Sequence, residues 1–174
     1  MQLSRASGIL LHPSSLPASP GIGTLGAEAY RFVDWLAEAG QSLWQVLPLG
    51  PTGYGDSPYA SFSSFAGNPL LVDLDALVAD GLLSREETVP PEWIRSEGPI
   101  DYGAVVHWKK PLLRIAARSF LGRGGSPAYR DFVKRAAFWL DEYALFMDIK
   151  DYHDRIASEE GKPGGLWHGL WPKE

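Results

Sequence analysis

The chain has 174 residues, 45% of them hydrophobic and 21% charged, which is enough for one domain with a real core and argues against disorder. A balance of 16 basic against 21 acidic residues gives a net charge of −5, with no Lys/Arg run long enough to follow a phosphate backbone, so nucleic acid is not an expected partner. Cysteine is absent, which leaves no disulfide framework and no thiolate metal site and permits a cytoplasmic location; the apolar run Ile9 to Leu11 is too short for a signal peptide, and nothing approaches a membrane span.

In chain order, Gly8 to Leu11 reads as a first parallel-type strand ending at His12-Pro13, followed by the turn-rich SSLPASPGIGTLG. From Ala27 to Ala39 the pattern is helical, with Ala29, Phe32, Val33, Leu36 and Ala39 on one face and Gly40 as the stop. Ser42 to Leu49 is an apolar run suited to a buried strand, so the first elements form a βαβ unit and a parallel sheet is the expected architecture. Leu70 to Asp80 reads as a short strand running into a short helix closed by Gly81, and Thr88 to Gly98 as a Pro-bearing loop. Two helices follow: Tyr102 to Phe120, interrupted or kinked near Pro111, and Pro127 to about Asp151. The second carries Ser126 as N-cap, Pro127 at its first position, and a stripe of Phe132, Ala136, Trp139, Leu140, Tyr143 and Met147. The tail from Ala157 is loop-like, with Trp167 and Trp171 seating it.

Between Val46 and Pro69 an apolar run gives way to VLPLGPTGYGDSPYASFSSFAGNP, where polar, aromatic and Gly/Pro residues crowd together in a site-bearing loop. Tyr54, Asp56, Ser57, Tyr59, Ser61, Ser63, Ser64 and Asn68 offer hydroxyls, an amide and one carboxylate beside flat rings. That mixture suits a neutral ligand rich in hydroxyls, because hydroxyl and amide groups both donate and accept while rings cover the apolar C–H faces of a sugar. Asp56 could act as acid, base or sugar-hydroxyl acceptor, and equally well cap a turn between Gly55 and Ser57. Ser57 lacks the G-x-S-x-G setting of a nucleophile. His12, His107, His153 and His168 lack ligand spacing on one helix face, so they read as structural or surface residues, and neither metal nor cofactor is expected.

Gly21, Gly23 and Gly26 spell G-x-G-x-x-G before a helix, the letters of a dinucleotide-binding turn. The context does not match. Pro13, Pro17 and Pro20 separate the strand from the glycines, and the second strand ends in Pro48-Leu49 without the acidic residue a ribose requires.

The segments GILLHPSSLP (Gly8 to Pro17), GIGTLG (Gly21 to Gly26), WQVLPLGPTGYGDSPY (Trp44 to Tyr59) and SSFAGNP (Ser63 to Pro69) resemble the N-terminal part of the amylomaltases, the 4-alpha-glucanotransferases. The resemblance extends through IDYGAVVHWKKP (Ile100 to Pro111) and WLDEYALFMDIK (Trp139 to Lys150), whereas Trp167 and Trp171-Pro172 match a W-x-x-W-P signature only with an added residue. It implies an α/β fold, the start of a (β/α)8 TIM barrel left incomplete in this chain. Residues 1–70 would hold its first two strands and the substrate loop, and 71–174 a mostly helical insertion. It also implies that Tyr59 contacts the sugar at the cleavage subsite with Asp56 and Ser57 nearby, and that Tyr54 and Tyr102 form a second glucan-binding place outside the active site. The family transfers α-1,4-glucan segments among maltooligosaccharides, amylose, starch or glycogen by a retaining double displacement. Its nucleophilic Asp and acid/base Glu lie in later strands, so none can be assigned here and the chain is expected to be a truncated, inactive piece. Two other readings stand beside this one: a non-catalytic glucan-binding piece using Tyr54, Tyr59 and Tyr102, and an unrelated nucleotide-binding α/β domain resting on the glycines.

Overall fold

The structure is a computed structural model that describes residues 5–17, 20–95 and 97–159, with Tyr54 described through its backbone alone. Trp167, Trp171, His168 and the loop-like tail lie outside the described residues. The strands β1 (Gly8–Leu10) and β2 (Leu43–Gln45) pair in parallel, Gly8 opposite Leu43, Ile9 opposite Trp44 and Leu10 opposite Gln45. Flanking bonds from the Leu11 amide to Gln45 O (3.0 Å) and the Ser42 amide to Ser7 O (2.9 Å) lengthen this ladder. A side chain at position 8 would overlap the Leu43 carbonyl, so glycine is required for the strands to approach. The βαβ reading stands, but β2 is three residues and not the eight from Ser42 to Leu49; beyond Gln45 the chain already turns toward the loop.

Helix α1 (Ala27–Glu38) makes the crossover. Its Phe32 ring meets the Trp44 ring edge-on at 5.0 Å, while the Trp44 indole N–H donates to Leu11 O at 2.7 Å, which ties helix and strands together. The expected apolar face is only partly covered: Ala29 and Leu36 are buried, whereas Val33 is 46% exposed, because α1 has a sheet of two short strands to lie on.

The core lies elsewhere. Leu74, Leu83, Ile94, Trp108, Leu112 and Ala116 form one cluster, and Ile22, Leu70 and Val105 a second, both packed on α3 (Tyr102–Gly122). The α3 stripe Val105, Trp108, Leu112 and Ala116 continues through Pro111 without interruption, since burial of Leu112 and Ala116 outweighs the one backbone bond proline cannot make. Asp101 caps α3 by accepting from the Ala104 amide at 2.9 Å.

The expected strand at Leu70 is instead a 3-10 turn, Pro69–Leu71, started by Asn68, whose side-chain oxygen accepts from the Leu70 amide at 2.9 Å. Proline at its first position fixes the backbone for a turn. Helix α2 (Leu74–Ala79) follows, capped by Asp73. The single helix expected from Pro127 is two, α4 (Pro127–Ala136) and α5 (Leu140–Glu159). The turn at residues 137–139 brings the Phe138 and Trp139 rings onto Phe65 of the loop, at 5.2 and 5.8 Å. Among the described residues, no helix is long and apolar enough to cross a membrane.

Candidate functional site

The loop expected to bear the site leaves the C-terminal end of β2 and returns at Asn68, whose amide donates to Leu49 O at 2.7 Å and so closes the neck. Its second half is anchored. Phe62 meets Phe146 at a tilt, 5.9 Å between ring centres, and lies 5.4 Å beneath the Lys150 ammonium, and Phe65 sits against Phe138 and Trp139. The Ser61 hydroxyl donates to Ser63 O at 2.8 Å, and Ser63 Oγ accepts from the Phe65 and Ala66 amides at 3.1 and 3.0 Å. The hydroxyls of Ser61 and Ser63 and the Asn68 carbonyl, which the sequence offers as ligand groups, are therefore engaged in shaping the loop.

The first half is the open one. Tyr59 is 74% exposed, and Ser57 Oγ accepts from the Tyr59 amide at 3.3 Å, which sets the direction of the chain under the ring. Asp56 is the one non-glycine residue with positive φ among the described residues, at 55°, next to Gly55 at 67°. Asp tolerates this left-handed conformation better than most residues, yet it is held strain and sits in the turn Tyr54–Asp56. Partial burial first, and the Asp101 carboxylate second, raise the Asp56 carboxyl above the usual range. Tyr102, the first residue of α3, is half-buried against the Ile22, Leu70 and Val105 cluster. The Tyr102 ring lies partly in the core.

Beneath the loop, a cavity of about 420 Å³ separates Thr52 and Phe62 from α3 and α5. Asp151 bridges its walls by accepting from Lys110 at 2.6 Å and Arg114 at 2.7 Å, and Lys150 pairs with Asp154. Tyr59, Ser57 and Asp56 are not among its lining residues; Tyr59 and Asp56 are exposed and Ser57 half-buried.

The glycine pattern has a packing explanation. A Cβ on Gly23 would overlap Pro13 O, and one on Gly26 would overlap the Asp73 carboxylate; Gly21 has φ of 90°. Thr24, with no exposed surface, donates to Asp73 Oδ2 at 2.6 Å, and the Leu25 amide donates to Leu71 O at 2.9 Å. This segment clasps the far end of the loop. His12, expected to be a structural or surface residue, caps the turn Pro13–Ser15 by accepting from the Ser14 amide at 3.2 Å. Among the described residues, no group of three or more His, Cys, Asp or Glu could hold a metal ion.

One group has no counterpart in the sequence reading. Lys109 is 1% exposed, and its ammonium donates to Leu70 O at 2.6 Å. Desolvation lowers it to about 8 against an opposing pull from the Asp73 carboxylate. Its signal was the spacing: position 109 falls on the buried face with Val105, Leu112 and Ala116.

Three comparisons bear on this arrangement. The family model described as 4-alpha-glucanotransferase matches residues 11–163. A 4-alpha-glucanotransferase of Thermus thermophilus is 48% identical over 99% of this chain and 32% of its own length. One from Streptococcus pneumoniae is 43% identical over 90% of this chain and 31% of its own. Among solved structures, amylomaltase from Streptococcus agalactiae in complex with acarbose aligns with a TM-score of 0.75 at 41% identity, covering 86% of this chain and 30% of that one. The chain therefore spans about a third of the length of the curated relatives it matches.

Proposed function

Because the chain belongs to the 4-alpha-glucanotransferase family, we propose that it forms the opening part of a TIM-barrel enzyme that transfers α-1,4-glucan segments between maltooligosaccharides or starch- and glycogen-type glucans. The observation that carries this reading is the exposed Tyr59 on the loop at the C-terminal end of β2, the end at which such barrels keep their active sites. Its ring would lie against the C–H face of a glucose unit, with Ser57 and the Asp56 carboxylate serving the sugar hydroxyls. Tyr54 and Tyr102 would provide a second glucan-holding place beside the N-terminus of α3. Residues 1–70 would contribute the barrel start and substrate loop, and 71–174 the helical insertion.

A retaining double displacement needs a carboxylate nucleophile and a carboxylic acid on opposite sides of the glycosidic bond. The resemblance puts both in the part of the relatives that this chain does not match, so the residues here bind and orient the glucan. The test is glucose release from maltotriose by the native protein carrying this sequence, compared with its Tyr59→Phe variant. Release in the native form supports the transferase. Binding of maltooligosaccharide with no release supports a non-catalytic glucan-binding role, and absence of both removes the glucan reading.

A further inference from the structure

Lys109 stands where a hydrophobic side chain would fit more cheaply. It lies on the stripe of Val105, Leu112 and Ala116, and burying an ammonium among such neighbours opposes folding unless the charge is answered. The answer here is specific. The ammonium donates to Leu70 O, and the Leu70 amide donates to Asn68 Oδ1, so both backbone groups of Leu70 are held by side chains. Asn68 in turn closes the loop neck on Leu49. Helix α3 is thereby connected, through one charged hydrogen bond and one residue, to the place where the substrate loop re-enters the core.

We propose that Lys109 is a positioning residue for the substrate loop: its ammonium fixes Leu70, Leu70 and Asn68 fix the neck, and the neck fixes where Tyr59 meets a glucan. This rests on the glucan-binding reading of the loop. The lowering of Lys109 to about 8 agrees with a charge held at a cost.

The experiment compares Lys109→Met, which keeps volume and removes the donor, with Lys109→Gln, which keeps a donor, in the full-length protein. It reads hydrogen exchange of the amides of residues 50–68, with α1 amides as reference, the urea midpoint, and KM against kcat for maltotriose. For Lys109→Met we expect an unchanged or higher midpoint, loop exchange about tenfold faster with α1 unmoved, and KM raised with kcat nearly kept, the scale set by loss of one charge-assisted hydrogen bond. Lys109→Gln should recover part of the loop protection. Exchange rising equally in α1 and the loop, or not rising in the loop, overturns the proposal; so does failure of both variants to fold, which would make Lys109 a core residue only. If the native protein releases no glucose from maltotriose, the glucan reading fails by itself, and the exchange comparison still decides whether Lys109 holds the loop.

Discussion

The hydroxyl of Thr24 donates to Asp73 Oδ2 at 2.6 Å, while Asp73 Oδ1 accepts from the Ala76 amide at 2.8 Å, so one carboxylate both starts α2 and fastens the glycine-rich segment to the end of the loop. Asp73→Ala removes a helix cap and strands a buried hydroxyl, for a combined loss of about 2 to 4 kcal/mol. Thr24→Val should cost about 1 kcal/mol. Urea denaturation of both single variants and the double should show the two losses falling short of additive, since they share one bond.

Gly23→Ala should destabilise by about 1 to 3 kcal/mol, because its methyl group would meet the backbone at Pro13 and neither can rotate away. Gly40→Ala makes a useful contrast: nothing lies near its Cβ, so its smaller loss reflects only the φ of 69°. Equal midpoints for Gly23→Ala and the native chain would remove the packing account of the glycines and reopen the dinucleotide one.

Tyr59 stands out in solvent, so Tyr59→Ala should leave stability within about 0.5 kcal/mol of the native value. Maltooligosaccharide affinity should fall about tenfold, the effect of losing one stacked ring. Calorimetric titration beside thermal unfolding separates the two quantities, and affinity that survives the change would take Tyr59 out of the site.

Asp56 accepts its proton at a higher pH than an ordinary aspartate, through burial and then the Asp101 charge. Glucan affinity that uses its carboxylate should therefore decline on acidification sooner than an ordinary aspartate would allow. Asp101→Asn keeps a good helix cap and removes the repulsion, so the acidic limb should move to lower pH. The sign for folding is opposite to that of a salt-bridged acid: the folded form holds the Asp56 proton more tightly, so this residue's contribution to stability decreases as pH rises through its titration.

For Lys109 the unfolded chain keeps its proton up to about 10.5 and the folded chain only to about 8. Between these values the unfolded state binds more protons, and stability contributed by this group rises with pH. Subtracting the Lys109→Met profile from the native one should leave a rising step of about 3 kcal/mol across that window. A flat difference would mean that the ammonium is not desolvated.

The βαβ start was readable because its strands and helix follow their own periods, and the N-cap Ser126 was readable because a short polar side chain before Pro127 favours capping. Tyr59, Ser57 and Asp56 were legible as polar and aromatic residues of one loop, together with Ser61, Ser63 and Asn68. What could not be read is which loop hydroxyls turn inward: Ser61 and Ser63 look like Ser57 in sequence and differ only in the turn that each stabilises. The break between α4 and α5 was hidden for a similar reason, since it depends on Phe65 meeting Trp139 from far along the chain. Asn68-Pro69, by contrast, carried the signature of a capped turn that the apolar letters after it obscured.

The bond from Asn68 to Leu49 gives the loop a drawn purse-string. Once that mouth is tied, lengthening residues 50–67 costs little in chain closure, about 0.6 kcal/mol for a doubling. The open half is therefore an exchangeable cassette: tips of different length and composition can stand in place of residues 54–60 while Phe62 and Phe65 keep their seats against the helices, which need no rewriting.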